Sequence, residues 1–134
     1  MLALVLAVAW RRWQPFLLVL LADAAADGLA GLLKTATHVH RPVEPHDLIA
    51  VPHSRSFPSG HTATSFACAS VLAFLVPRAA PLAYLLAAAI GYSRLYVGVH
   101  WPTDVIAGAA LGTVTALLLL AAVRTRSARV LRRG

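Results

Sequence analysis

Three short stretches carry most of the chain's polar chemistry: "KTATHVHRP" (Lys34–Pro42), "PSGH" (Pro58–His61) and "SRLYVGVHWPTD" (Ser93–Asp104). Lys34, Arg41 and Arg94 bring fixed positive charge, and the arginine forks match phosphate oxygens in pairs. His61 and His100 are imidazoles that exchange protons near neutral pH. Asp104 stands four residues after His100, a reach suited to holding that ring through its other nitrogen. Ser59 and Gly60 precede an apolar run, so they fall where a helix opens and its unpaired N–H groups and dipole favour an anion. Glycine there also lets the backbone come close to a ligand. The joint composition fits a phosphate site served by histidines.

A metal site is the competing chemistry. His38 and His40 alternate, and His46 and His53 follow. Their spacings match no familiar ligand set, and Lys34 and Arg41 repel a cation. The four read as solvated loop residues, and neither a metal nor a cofactor is assigned.

The elements that must position these clusters follow from composition. Of 134 residues, 59% are hydrophobic and 13% charged, about half the charged share of soluble domains. A water-soluble domain of this size could not bury so much apolar surface. The expectation is a single domain, residues 1–134, folded as an all-α integral membrane bundle of three full transmembrane helices plus an N-terminal half-span. Met1–Trp10 is that half-span, because its length reaches only about 15 Å into a hydrocarbon core of about 30 Å. It lacks the basic n-region and cleavage site of a signal peptide. The longer stretches number four, Pro15–Leu33, Gly60–Val76, Pro81–Val99 and Pro102–Val123, one more than the three full spans expected. Asp23 and Asp27 interrupt the first of them on one helix face, which Lys34 shares. Hydrogen bonding within the bundle beneath the site is the role expected of both.

A net charge of +7 raises nucleic-acid binding, but the basic residues are spread between apolar runs as membrane topology signals are. With Arg11, Arg12, Arg78 and the tail arginines (Arg124, Arg126, Arg129, Arg132, Arg133) in the cytoplasm, Lys34, Arg41, Arg55 and Arg94 are left on the outer face. Breaking the positive-inside tendency marks them for another task. All three polar clusters then share the outer side of the plasma membrane, with the C-terminal tail inside. Gly108 and Gly112 form a G-x-x-x-G pair that predicts close helix contact within the chain. Cys68 is a small core residue, and Trp10, Trp13 and Trp101 fall near the interfaces.

The clusters look like the three signature motifs of the type 2 phosphatidic acid phosphatase (PAP2) superfamily, which also includes vanadium haloperoxidases. K-x6-R-P matches Lys34, Arg41 and Pro42; P-S-G-H matches Pro58–His61; S-R-x5-H-x3-D matches Ser93, Arg94, His100 and Asp104. The resemblance implies a metal-independent lipid phosphatase with a phosphohistidine intermediate. His100 would be the nucleophile, Asp104 its orienting partner and His61 the acid for the leaving oxygen. Lys34, Arg41, Ser59, Gly60 and Arg94 would bind the phosphate. The substrate would be a polyprenyl (di)phosphate or a phosphatidate-type lipid, met in the bilayer and without nucleic acid. Membrane members usually have six spans, so this chain is expected to be a shortened version of that fold. Two alternatives stand beside this reading: a non-catalytic membrane homologue acting as a helical partner, and a haloperoxidase-like enzyme.

Overall fold

The computed structural model describes residues 2–42 and 54–131, with side chains over 13–42 and 54–125. Four helices follow in order: α1 (Leu2–Ala36), α2 (Gly60–Leu75), α3 (Ala80–Tyr96) and α4 (Pro102–Leu131), with a single 3-10 turn, Pro77–Ala79, between α2 and α3. Prolines open α3 and α4, where their fixed φ suits a first turn and their missing N–H costs nothing.

Four helices stand where three spans and a half-span were expected, and no separate half-span exists. Leu2–Trp10 runs on through Arg11, Arg12 and Pro15 into one 35-residue helix. Pro15 removes one backbone donor, but no glycine or turn-forming residue flanks it to complete a break. Two segments, Trp13–Ala36 and Pro102–Thr125, are long and apolar enough to cross a bilayer. The middle helices have 16 and 17 residues, roughly 24–26 Å each. The third stretch also stops earlier than its apolar pattern, at Tyr96 rather than Val99.

Packing is built on small residues. Ala22, Ala26 and Ala30 of α1, Ala63, Ala67 and Val71 of α2, and Ala116 of α4 form the buried core. α1 and α2 each contribute at intervals of four, hence one stripe per helix. The central helix α2 touches α1, α3 and α4. Its seam with α4 is closest at the two glycines: a Cβ on Gly108 would lie 2.6 Å from the Ser59 carbonyl oxygen, and one on Gly112 would collide with the Ala63 carbonyl. The expected close contact is therefore within the chain.

Large apolar side chains point the other way. Leu21, Leu85, Leu86, Ile106, Leu117 and Leu118 are each more than half exposed. In water such a surface would drive association, whereas lipid solvates it and leaves close approach of small residues to hold the helices. The chain is an all-α membrane bundle.

Candidate functional site

The end of α1 supplies the first group. Lys34, in its last turn, donates from Nζ to the carbonyls of Arg55 (3.0 Å) and Ser56 (3.5 Å). Thr37 Oγ1 donates to the Phe57 carbonyl at 2.9 Å, and the Ser56 N–H to the Val39 carbonyl at 3.0 Å. These bonds lay the segment before α2 against the segment after α1. Arg41 carries the link further. Its Nε and Nη2 donate to the Ser54 carbonyl (2.9 Å) and hydroxyl (3.0 Å), while Nη1 donates to the Val99 carbonyl at 2.7 Å. The same Nη1 lies 3.2 Å from His100 Nε2.

At the start of α2, Ser59 has extended backbone and its side chain does not cap the helix. Its hydroxyl instead accepts from Thr62 Oγ1 at 3.0 Å. Its own N–H donates to the Asp104 carbonyl at 3.0 Å, tying the first turn of α2 to the first turn of α4. Gly108, packed under the Ser59 carbonyl, permits this approach. The N–H groups of the opening turn thus keep their capacity to meet an anion.

The end of α3 delivers the nucleophile candidate. Gly98 has φ of 73°, the left-handed position that favours glycine. Its N–H bonds the Leu95 carbonyl at 3.0 Å, and the Val99 N–H reaches back to the Arg94 carbonyl at 3.2 Å. This pattern is a Schellman stop, and it fixes how the backbone of Arg94 sits relative to the residues just before His100. His100 and Asp104 are buried. Asp104 Oδ2 accepts from the Trp101 N–H (2.9 Å), from the Ser56 hydroxyl at close range, and from His100 Nδ1 (3.3 Å).

Donor chemistry fixes the tautomer. A guanidinium can only donate, so His100 Nε2 beside Arg41 is the unprotonated nitrogen, and Nδ1 carries the proton given to Asp104. Burial, then the charge of Arg41, pushes the His100 pKa down to about 4, against the opposing hydrogen bond to Asp104. The result is a neutral imidazole whose unprotonated Nε2 faces a cationic surround, an arrangement that can attack an anionic phosphorus centre once the phosphate has drawn Arg41 to itself.

Lys34, Arg41, Ser59, His100 and Asp104 are thus joined in one hydrogen-bonded neighbourhood. Among the described residues, no hydrogen bond links the His61 or Arg94 side chains to it. Arg94 Nε donates to Ser93 Oγ at 3.1 Å. His61 is the second residue of α2 and its side chain is exposed. Gly60 sits half-buried at the head of α2.

Sequence reading missed several contributors. Ser56 bonds across 48 residues to Asp104, Ser54 seats Arg41, and the Trp101 indole N–H donates to the His40 carbonyl at 3.0 Å. The hint for Ser56 was a small polar residue placed just ahead of Pro58, but no spacing connects it to position 104. His38 and His40 are exposed as expected, while His46 and His53 lie outside the described residues. Among the described residues no group of three or more His, Cys, Asp or Glu gathers as a metal site would.

The chain is similar to several known proteins. A lipid A 1-phosphatase of Rhizobium johnstonii is 41% identical over 98 residues, 67% of this chain but only 40% of that protein. A decaprenylphosphoryl-5-phosphoribose phosphatase of Mycobacterium tuberculosis is 36% identical over 123 residues, covering 88% of this chain and 67% of that one. The crystal structure of Aquifex aeolicus LpxE superposes with a TM-score of 0.74 at 34% identity, over 89% of this chain and 74% of that chain. The family model described as PAP2 superfamily matches residues 1–128, and on that match the chain belongs to the PAP2 superfamily.

Proposed function

We propose that the chain hydrolyses a phosphomonoester or diphosphate on a lipid headgroup, through a phosphohistidine and without a metal. The observation that carries this reading is the His100 ring, held by Asp104 with its Nε2 lone pair turned toward Arg41. Arg41, Lys34 and Arg94, with the Ser59 hydroxyl and the Gly60 amide, hold the phosphate oxygens and take up the charge that grows on them. His100 Nε2 forms a bond to phosphorus as the bond to the lipid oxygen breaks, and His61 gives that oxygen its proton. Asp104 steadies the positive charge on the phosphorylated ring. Water, losing its proton to His61, then attacks phosphorus, the P–N bond breaks, and phosphate leaves.

The substrate is a polyprenyl (di)phosphate or a phosphatidate-type lipid. Both curated relatives described above are named for phosphate removal from lipids, and the leucine-covered flanks of the bundle let a lipid tail stay in the bilayer. The basic-residue pattern supports a site on the outer face of the plasma membrane with the C-terminal tail inside. Phosphate release from lipid phosphates in detergent or liposomes tests the reading. Activity is expected to persist in EDTA and to vanish in His100→Ala. Full activity in that variant, or loss on chelation, would overturn it.

A further inference from the structure

Trp101 falls near the membrane interface by sequence, yet it is bonded to both sides of the His100 surround. Its backbone stands just ahead of Pro102, the first residue of α4. Its carbonyl accepts from the N–H groups of Asp104 (3.0 Å) and Val105 (3.3 Å), and its own N–H donates to Asp104 Oδ2 at 2.9 Å. Asp104, at the third helical position, thus reaches back to the N-cap N–H as the acidic half of a capping box does. Any residue but proline at 101 would supply that backbone donor.

The indole makes a second, separate link. Its Nε1–H donates to the His40 carbonyl at 3.0 Å, across 61 residues, and His40 is the residue before Arg41. The preceding carbonyl, of Val39, accepts from the Ser56 N–H at 3.0 Å. Two successive carbonyls are therefore held, one from the chain ahead of α2 and one from the chain ahead of α4. Arg41 follows at once: its Nη1 donates to the Val99 carbonyl at 2.7 Å and stands 3.2 Å from His100 Nε2. Among the described residues, no other hydrogen bond joins the backbone of Lys34–Pro42 to the turn between α3 and α4. Without the indole N–H, the Arg41 guanidinium alone would bridge these two segments.

We propose that Trp101 is a positioning residue for Arg41, its indole N–H fixing how far the guanidinium stands from His100 Nε2. The proposal deepens the phosphatase reading and rests on the roles given above to Arg41 and His100. Trp101 touches no phosphate oxygen and takes part in no covalent step. It keeps Arg41 in place before a phosphate arrives, so that less ordering is left to substrate binding.

Trp101→Phe tests this, since it deletes the donor while keeping an aromatic ring at the interface and the backbone bond to Asp104. The first readout is NMR titration of 13C-labelled histidine in detergent-solubilised full chain, His100 being assigned by its loss in His100→Asn. Arg41, Lys34 and Asp104 are the charges that face this ring, and the indole is linked to the Arg41 segment alone. A guanidinium that drifts away opposes a proton on the ring less, so His100 should titrate higher by roughly half a pH unit. In an Arg41→Gln background the same substitution should move it by less than about 0.2 unit, because two changes acting through one group do not add. On a short-chain lipid phosphate, kcat/KM should fall roughly fivefold, the effect of one lost hydrogen bond. An unmoved His100 titration in Trp101→Phe, at wild-type helix content, would overturn the proposal. So would a shift of undiminished size in the Arg41→Gln background, which would mean that Trp101 acts through Asp104 or the fold at large. If wild-type chain releases phosphate from no lipid, the phosphatase reading falls, and the titrations still decide whether Trp101 positions Arg41.

Discussion

Asp104 uses one carboxylate oxygen for three partners: the His100 ring, the Trp101 N–H and the Ser56 hydroxyl. Ser56 is fully buried, so Ser56→Ala removes a hydrogen bond to a charge without letting water replace it freely. A loss of roughly tenfold in kcat is expected, about 1.4 kcal/mol, with KM little changed; steady-state kinetics on a short-chain lipid phosphate measure it. Arg41 has the opposite sign of influence on the ring. Its charge helps hold His100 neutral down to about pH 4, so Arg41→Gln should raise the His100 titration seen by NMR. The linkage follows directly. An unfolded chain protonates this ring near pH 6.5, the folded one near 4, so this group's contribution to stability falls as pH drops between those values and levels off below them. That Lys34, Arg41, His100 and Asp104 belong together was legible in the sequence because each is a residue type at a short, fixed interval, whereas His61 and Arg94 carry no side-chain hydrogen bond to them. Ser56 and Ser54 were not, since a hydroxyl gains its role only from a partner brought near by folding.

Among the elements, the turn after α3 shows how a motif spacing becomes geometry. The Schellman bonds reach back to Arg94 and forward to Val99, so the interval between Arg94 and His100 is the length of a helix stop. Gly98→Ala forces a Cβ into left-handed backbone and should cost about 1–2 kcal/mol, visible as a lower thermal midpoint in detergent. Gly98→Asn should lose less. Helix identity was readable from the apolar runs, but two boundaries were not. Val97–Val99 looked like continued helix because apolarity says nothing of φ at Gly98. Leu2–Trp10 looked separate because Arg11, Arg12 and Pro15 resemble a loop in composition, although their backbones tolerate a helix.

For the whole molecule, the membrane setting was legible from composition, and the arrangement of small residues inside and leucines outside supports it. The side on which the site opens is a separate matter, carried by the distribution of arginines. His38→Cys in a Cys68→Ala background should react with an impermeant maleimide added outside intact cells, position 38 being exposed; labelling only after permeabilisation would reverse the orientation. Of the G-x-x-x-G pair the sequence announced the contact but not its partner. Gly108 abuts the carbonyl of Ser59, and the Ser59 N–H is bonded to Asp104. Two glycines thus act as a spacer gauge between the turn proposed to grip phosphate and the helix that carries the partner of His100. A methyl group added at either glycine would wedge α2 and α4 apart and so alter the spacing of Ser59 and Asp104, a change made from deep in the seam rather than at the site itself.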